Sequence, residues 1–311
     1  NEILHWEMSC EQLGELEQRD DFMWWTERED FHQESVLMNR KRKFLKEPTE
    51  DSISLICVLR NECLLLPYFI EYYIKLGVTH FTFIDNGSSD GTLRYLLNYK
   101  ATEIQVYRTN DSYAKNEYGV AWVNEVLNEQ FKDMWCLVVD VDELLIPRNN
   151  ISLGQLRDNM KHANANILVT CMVDFYPKDF FVRNYVRGQP FLDHSNVYDK
   201  MTHDNITVAV QDDNAVTVKG GVRHRITKSG VPNNDSYCIT KKSFFKYDFY
   251  NSHRLSLGMH WVLPLGFTDW IDFSGKWEVS NKMLKFHPWP HILGHFKYLK
   301  PNIKEVFKER G

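Results

Sequence analysis

The sequence predicts an α/β protein with a mostly parallel, Rossmann-like sheet flanked by helices, because strand-like and helix-like runs alternate between residues 52 and 150. Four apolar runs read as buried strands: SISLICVL, THFTFID, EIQVYRT and WCLVVDVDELLIP. Amphipathic runs such as LLLPYFIEYYIKLG, which is closed by Gly77, separate these strands. Alternating strands and helices with short connections favour parallel neighbours joined by right-handed crossovers.

The two ends of the chain differ from this regular region. Residues 1–51 are polar and acid-rich apart from the basic run NRKRKFLKEP, and they predict an N-terminal helical extension. Residues 151–311 carry strand-like runs between long polar loops, and they predict a mixed sheet with loops that complete a cleft. We therefore predict one large domain with a regular half at residues 52–150 and a mixed half at residues 151–311.

Composition and charge exclude several classes of protein. The net charge of −5 gives no basic field, so nucleic acid is not an expected partner. None of the six cysteines forms a CxxC pair, and Cys57, Cys136 and Cys171 lie in apolar runs, which predicts free thiols in a reducing compartment. Since no apolar run reaches about 18 residues, we predict no transmembrane segment and expect a cytoplasmic protein.

Three polar clusters follow predicted strands of the regular half. They are RNE at residues 60–62, DNGSSDG at residues 85–91 and DVDE at residues 140–143. Ligands of open parallel sheets bind beyond the carboxyl ends of the strands, so these clusters predict a site at that edge. The DNGSSDG run also suits a turn that caps a helix, but a cap does not account for Asp85.

The DVDE cluster interrupts an apolar run with three acids. Alternation along a strand places Asp140 and Asp142 on one side and Glu143 on the other. Burying unpaired carboxylates is costly, and two carboxylates one residue apart suit a shared Mg²⁺ or Mn²⁺ ion. The alternative is an acidic pair at a strand end that faces solvent.

The order of these motifs resembles the family 2-type glycosyltransferases with a GT-A fold, in the bacterial branch that reads VRNE, DNGSTDGT and DVDEFL. The matching runs here are VLRNE, FIDNGSSDGT, VVDVDELLIP, GGVRHR and HFKYL, spread over residues 52–310. The sequence has neither GxxxxGK[ST] nor GxGxxG after the first strand, which excludes a P-loop and a dinucleotide fingerprint.

The resemblance implies an enzyme of polysaccharide biosynthesis with a nucleotide-sugar donor, a Mn²⁺ or Mg²⁺ cofactor and an acceptor hydroxyl on a glycan or lipid-linked glycan. It also implies inverting transfer. Residues 52–150 become the nucleotide-sugar-binding half of a GT-A domain, and residues 151–311 become its acceptor-binding half.

The resemblance further assigns residues to the donor site and the metal. Asp142 is the expected metal ligand, Asp140 faces the ribose or reaches the metal through water, and His295 in GHFKYL completes the metal site. Asn86 stands where the family usually has a second Asp. The remaining donor contacts are Arg60, Glu62 and Asp85 for the nucleotide, and Arg223 and Arg225 for the phosphates.

The catalytic base is the least determined part of this assignment. Inverting transfer needs a carboxylate that takes the proton of the acceptor hydroxyl. Asp174 in MVDFYP is the first choice because it ends an apolar strand, ahead of Asp235 and Asp269. A residue of a surface turn is the alternative for Asp174.

The histidines and the C-terminal lysines allow more than one interpretation. His287, His291 and His295 are spaced by four, but two prolines between the first two exclude a regular helix and a three-histidine zinc site. His295 also suits a packed core position. The tail lysines suit weak contact with an anionic membrane surface, but neighbouring glutamates favour a solvated helix face.

Two other functions remain open from the sequence. A phosphohydrolase of the haloacid dehalogenase type uses a DxD as nucleophile and acid, and Asp212 and Asp213 imitate its downstream acidic pair. That class lacks a match here for its Thr/Ser and Lys, and its DxD opens the fold. The other alternative is a sugar-binding module without catalytic activity.

Overall fold

The computed structural model describes the whole of the regular half and parts of the mixed half. The described residues are 39–178, 185–199, 206–210, 216–220, 239–247, 253–256, 261–264, 286–287 and 291–299. Predictions for most of the N-terminal extension and for the tail beyond residue 299 lie outside them. So do those for Asp212, Asp213, Arg223, Arg225, Asp235 and Asp269.

The regular half contains the parallel strands that the sequence predicts. The strands are β1 (Asn39–Arg42), β2 (Ile53–Leu59), β3 (His80–Asp85), β4 (Glu103–Arg108) and β5 (Trp135–Val138). The helices are α1 (Leu66–Leu76), α2 (Thr92–Asn98) and α3 (Val120–Gln130), with a 3₁₀ helix at Ala114–Gly119. Strands β2 to β5 are parallel in the order β4-β3-β2-β5, and β1 pairs antiparallel with β4.

The mixed half extends the same sheet. Its elements are β6 (Glu143–Ile146), α4 (Leu153–His162), β7 (Ile167–Tyr176), α5 (Phe191–His194), β8 (Val197–Tyr198), β11 (Thr240–Lys246), β14 (Phe286–His287) and β15 (Ile292–His295), with 3₁₀ helices at Arg148–Asn150 and Lys297–Leu299. Two separate hairpins are formed by β9 (Ile206–Val210) with β10 (Val216–Gly220) and by β12 (His253–Ser256) with β13 (Trp261–Pro264).

Antiparallel neighbours make this half mixed, as the sequence predicts. The sheet continues from β5 in the order β11-β7-β15-β6, and β11 is antiparallel to both β5 and β7. Strand β15 is parallel to β7 and antiparallel to β6. Eleven strands of the described chain therefore form one mixed α/β sheet, in which β8 and β14 also pair with β7.

Two apolar layers cover the faces of the sheet. Alternate residues of β2 face opposite layers, since Leu55 packs with the α1 side and Ile56 with the α3 side. All seven residues of β2 are buried, which explains why the run is continuously apolar. Gly77 ends α1 in a left-handed conformation with φ 110°, and thus confirms the predicted helix end. Among the described residues, no helix is long and apolar enough to cross a bilayer.

The predicted fourth strand is wrong in its extent. The run WCLVVDVDELLIP forms two strands, β5 and β6, with residues 139–142 as a turn between them. The turn is closed by a hydrogen bond of 3.0 Å from the amide of Glu143 to the carbonyl of Asp140. Strand alternation therefore does not decide where Asp140 and Asp142 point, because the acids leave the sheet at a chain reversal.

Strand β6 lies at the edge of the sheet and is fixed by tyrosine hydroxyls from α1. The Tyr73 hydroxyl accepts from the amide of Leu145 at 2.9 Å and donates to the carbonyl of Glu143 at 3.0 Å. The Tyr72 hydroxyl donates to the carbonyl of Leu145 at 2.7 Å. These bonds satisfy polar backbone groups of an edge strand and hold the start of β6 in place.

Part of the predicted helical extension forms a strand instead. Residues 39–42 pair with β4, and Arg42 donates to the carbonyls of Leu96 and Tyr99 at 2.8 and 2.5 Å. A cation at the last carbonyls of a helix satisfies acceptors that have no partner within the helix. The basic run therefore serves as an edge strand and as a cap of α2.

Candidate functional site

The first two polar clusters interlock at the carboxyl edge of β2 and β3. The hydroxyl of Ser88 accepts from the amide of Asn61 at 2.9 Å, and the Asn61 side chain accepts from the amide of Ser89 at 2.8 Å. The hydroxyl of Thr92 accepts from the amide of Glu62 at 2.8 Å. The structure thus brings the RNE and DNGSSDG runs together as one unit at the edge where the sequence predicts a site.

Asp85 lies beneath this unit and is fully buried. Its two carboxylate oxygens accept from the amide of Ser88 at 3.3 Å, and Arg108 lies 3.7 Å away. Burial raises the pKa of Asp85, while the hydrogen bonds from Ser88 and the charge of Arg108 act in the opposite direction. The carboxylate therefore organises the turn, and the predicted donor contact of Asp85 stays a prediction.

Asn86 connects the turn to the segment after β4. Its side-chain amide donates to the carbonyls of Thr109 and Asp111 at 3.4 and 2.9 Å. An aspartate at this position has no N–H to donate to these carbonyls. The presence of Asn86 where the family usually has a second Asp therefore has a structural reason in this chain.

Arg60 and Glu62 differ in their surroundings, although the sequence assigns both to the nucleotide. Arg60 follows β2 and is exposed, whereas Glu62 is buried near the start of α2. Their predicted roles remain predictions.

The acidic turn presents its three carboxylates to different surroundings. The side chain of Asp140 is 48% exposed and that of Asp142 is 18% exposed. Glu143 is buried, and its Oε2 accepts from the amide of Asp140 at 2.9 Å. The buried oxygen of Glu143 thus closes the turn from inside, while Asp140 and Asp142 remain at the surface of the edge.

Lys241 contacts this turn and was not found from the sequence. Its Nζ lies 2.6 Å from Oε2 of Glu143 and 3.8 Å from Oδ2 of Asp140. Burial lowers the pKa of Lys241, but the charges of Glu143 and Asp140 raise it and the net shift is upward, so the lysine stays protonated. A lysine at the start of the apolar run KKSFFKY is the sequence signal that points to a buried partner.

His295, Asp174 and Asp142 meet at the end of β15. His295 is in register with Asp174 of β7 on one side and with Glu143 of β6 on the other. Its Nδ1 lies 2.5 Å from Oδ1 of Asp174, and its Nε2 lies 3.7 Å from Oδ2 of Asp142. The amide of Phe296 donates to the carbonyl of Asp142 at 2.7 Å and ties the turn to the end of this strand.

Asp174 therefore occupies a buried position and not a surface turn. Its side chain is 3% exposed, and its nearest described partner is the imidazole of His295. The predicted role as catalytic base stays a prediction. The geometry adds a second role, since a carboxylate on Nδ1 fixes both the tautomer and the orientation of a histidine whose Nε2 faces another ligand.

The pair of Asp142 and His295 fits one side of a divalent cation. Two ligands at about 2.1 Å from the same ion lie within about 4.2 Å of each other, which is compatible with the 3.7 Å between Nε2 and Oδ2. Within the described ranges, no group of three His, Cys, Asp or Glu side chains is arranged as a metal site. An ion held by this pair alone would take its other ligands from a bound substrate or from water.

An aromatic segment lies beside the acidic turn. Tyr113 packs on Trp122 and Tyr118, with ring centroids 6.2 and 5.8 Å apart. Burial raises the pKa of Tyr113 to about 12, and the charge of Asp140 adds to this shift. Tyr118 has φ 58° and Gly119 has φ 82°, so the chain turns sharply below the Tyr113 ring.

A sheet edge with an interlocked RNE–DNGSSDG unit, an acidic turn and a facing histidine points to the glycosyltransferase class, and comparison with known families agrees. The chain belongs to glycosyltransferase family 92, whose model matches residues 57–264. Membership of a glycosyltransferase family is thereby confirmed, while the resemblance to the family 2-type branch stays a prediction. The matched range includes Asp85, the acidic turn and Asp174, but not His295.

Solved structures give only weak likenesses. UDP-glucose pyrophosphorylase from Acinetobacter baumannii matches with a TM-score of 0.28 and 11% identity, over 40% of this chain and 57% of that chain. The UTP-bound UGPase from Acinetobacter baumannii matches with a TM-score of 0.31 and 12% identity, over 63% of this chain and 74% of that chain. The comparison with curated protein sequences gives no match. At these TM-scores, the likenesses carry no argument about function.

Proposed function

We propose that this protein is a metal-dependent glycosyltransferase with a GT-A fold. It transfers a sugar from a nucleotide-diphosphate donor to a hydroxyl of a glycan or lipid-linked glycan, with inversion. The observation that carries the proposal is the meeting of Asp142 and His295, with Nε2 and Oδ2 3.7 Å apart, beside a half-exposed Asp140. Family membership supports glycosyl transfer, and the sheet order β4-β3-β2-β5-β11-β7 with an antiparallel β11 supports the fold.

The cation, Mn²⁺ or Mg²⁺, would be held by Asp142 and His295. When bound, it supplies positive charge that stabilises the diphosphate as a leaving group. The chain itself orients the imidazole through Asp174, and the buried Glu143 holds the backbone of the turn. Oxygen ligands from the donor would complete the coordination.

The donor nucleotide would lie on the interlocked RNE–DNGSSDG unit. Asp85 shapes this surface from below, and Arg60 is exposed beside it. Tyr113 packs at the chain turn at Gly119, next to Val58 of β2, and the charge of Asp140 contributes to the upward shift of its pKa. The phosphate contacts proposed for Arg223 and Arg225 lie outside the described residues.

Transfer and donor hydrolysis provide the first test. The full chain is incubated with Mn²⁺ and a panel of nucleotide sugars, and release of nucleoside diphosphate is measured with and without a chelator. We expect metal-dependent release with at least one donor, and a strong loss in Asp142→Asn. Asp133→Asn is the matched control, since Asp133 pairs with Lys246 at 3.3 Å and lies away from the acidic turn.

The other outcomes identify the alternatives. Release of phosphate from monoesters without donor hydrolysis supports the phosphohydrolase. Binding of nucleotide sugars without turnover supports the inactive sugar-binding module. Equal activity of Asp142→Asn and wild type at saturating donor contradicts the metal assignment.

Asp174→Asn separates two roles of Asp174. A general base acts in the transition state, so its loss lowers kcat at every metal concentration. A residue that orients His295 raises the Mn²⁺ concentration for half-maximal activity, and saturating metal restores much of kcat. The hydrogen bond of 2.5 Å to His295 favours the second result.

A further inference from the structure

Lys241 lies in the second position of β11, where an antiparallel strand begins at the edge that carries the site. Its backbone is in register with Thr170 of β7, and the Thr170 hydroxyl donates to the Lys241 carbonyl at 2.8 Å. Because β11 runs antiparallel to β5, its first residues lie beyond the carboxyl end of β5, whereas beside β7 Lys241 pairs with Thr170 near the middle of that strand. A lysine there reaches the acidic turn from within the sheet.

Lys241 contacts two acidic residues of the turn, Glu143 and Asp140. Its Nζ contacts Oε2 of Glu143 at 2.6 Å, and the same oxygen accepts from the amide of Asp140 at 2.9 Å. The carboxylate of Asp140 lies 3.8 Å from the same Nζ. Lys241 therefore contacts two carboxylates of the turn, the buried one of Glu143 and the half-exposed one of Asp140.

This arrangement divides the carboxylates of the edge between two nitrogen-bearing side chains. Lys241 faces Glu143 and Asp140, whereas His295 faces Asp142 and Asp174. Four carboxylates at one edge repel one another, and a buried lysine offsets part of that repulsion before any ligand arrives. The turn then keeps one shape, in which Asp142 is directed toward the imidazole.

We propose that Lys241 is a positioning residue of the acidic turn, which it holds through Glu143 and Asp140 so that Asp142 is left to face His295 and a divalent cation. This inference rests on the proposed function for the cation. The shape of the turn can be measured without a metal, so the role of Lys241 in holding the turn can be tested separately from the proposed function.

The test compares the double variant Lys241→Met/Glu143→Gln with the wild type. The double variant removes both members of the buried ion pair, so the net charge is unchanged and no unpaired buried charge remains. Lys246→Met is the control from the same strand, since Lys246 pairs with Asp133 at 3.3 Å at the other end of β11. Circular dichroism and melting temperature check that each variant folds.

Two measurements decide the outcome in folded protein. Amide hydrogen exchange of the segment at residues 139–143 is expected to be about tenfold faster in the double variant, with unchanged exchange in β2 and β3. The Mn²⁺ dissociation constant, measured by calorimetry with a nucleoside diphosphate present, is expected to rise by about tenfold. Lys246→Met should match the wild type in both.

Either of two results overturns the inference. Unchanged exchange of the turn shows that Lys241 does not hold it. Faster exchange with an Mn²⁺ titration that overlays the wild type shows an ion pair that serves only folding. If the wild type binds no Mn²⁺ with any nucleotide, the proposed function fails instead, and the exchange of the turn alone decides whether Lys241 positions it.

If the double variant does not fold, the single variant Glu143→Asp replaces it. This variant keeps both charges of the buried pair and draws the carboxylate back by one methylene from Lys241 and from the amide of Asp140. The same two measurements are then expected to change in the same direction by a smaller factor, and unchanged values overturn the inference.

Discussion

The parallel and mixed halves of the sheet contribute to the candidate site in different ways. In the parallel half, a polar run begins at the end of each strand, so Asp85 ends β3 and the acidic turn follows β5. In the mixed half, single side chains from distant segments meet these runs. Asp174 and His295 touch although 121 positions separate them, and Lys241 is 98 positions from Glu143.

The two halves of one sheet therefore supply different parts of the candidate site. Contiguous motifs form where strand and turn are neighbours in the sequence, and their backbone bonds fix their shape locally. The partners that orient and neutralise them come from the half where strands change direction. Substitutions in both halves test whether the site depends on this division.

The largest loss of activity is expected for substitutions of Asp142 and His295, because these residues come from different halves of the sheet and would hold the same cation. Asp142→Asn from the first half and His295→Asn from the second should each lower kcat/KM by roughly 10- to 100-fold. Asparagine at 295 keeps an N–H near the Nδ1 position and removes Nε2. If both residues hold the same cation, the double variant should be little worse than either single variant, as a double-mutant cycle measures.

His291→Ala is the control for this cycle. His291 is buried just before β15, and its ring accepts from the amide of Arg148 at 3.2 Å, away from the acidic turn. Its loss should alter stability without changing the Mn²⁺ dependence of transfer. Multiplicative losses in the double variant of Asp142 and His295 would show that the two halves act independently.

A stability comparison addresses the sharp turn below Tyr113. At Gly119, φ is 82°, and an added Cβ would lie 2.9 Å from the Tyr113 ring and 3.2 Å from Val58. Gly119→Ala should therefore lower the free energy of unfolding by about 1 to 3 kcal/mol more than Gly188→Ala. Gly188 has a similar φ of 83° but open space around it, so the control carries only the backbone strain.

Chemical denaturation measures both glycine variants. Equal midpoints for the two would mean that the Tyr113 ring and Val58 move aside without cost. In that case, the aromatic segment beside the acidic turn is not tightly packed.

A substitution of Asp85 tests the contribution of the parallel half alone. Asp85→Asn should weaken binding of a nucleoside diphosphate by about tenfold, or about 1.4 kcal/mol, with smaller changes after binding. The reason is its position at the end of β3, where it holds the amide of Ser88. Calorimetry gives the affinity, and a wild-type value would exclude Asp85 from the donor site.

The smallest effect concerns the opposite edge of the first half. His80 begins β3, where its ring bonds to the carbonyl of Lys46 at 3.0 Å and to the hydroxyl of Thr79 at 2.9 Å. Burial lowers the pKa of His80, and the bond to Lys46 offsets part of this shift. Because the unfolded chain binds the proton more tightly, folding stability should fall as the pH drops below about 6.5.

His80→Gln should therefore lose less melting temperature than the wild type between pH 7.5 and pH 5.5. The amide of glutamine can still donate to Lys46 and carries no titratable proton. Parallel pH profiles of the two proteins would show that His80 does not contribute to the acid sensitivity.

The sequence by itself determined the parallel half and the location of its polar runs. Continuous apolar runs predict buried strands such as β2, and Gly77 predicts the end of α1, because hydrophobic burial and backbone conformation act over a few neighbouring residues. The motif order also identified a glycosyltransferase, which the match to family 92 confirms. It named His295 and Asp174, but assigned them to separate roles.

Only the tertiary structure decided which side chains meet. It split the predicted fourth strand at the acidic turn, placed Asp174 on His295, and brought the unpredicted Lys241 to Glu143. These contacts depend on the order and direction of strands that are far apart in the chain, and that order is set by packing over the whole sheet. The local pattern KKSFFKY indicates that Lys241 has a buried partner, but it does not identify that partner. A lysine at the start of a parallel strand would lie at the opposite edge of the sheet.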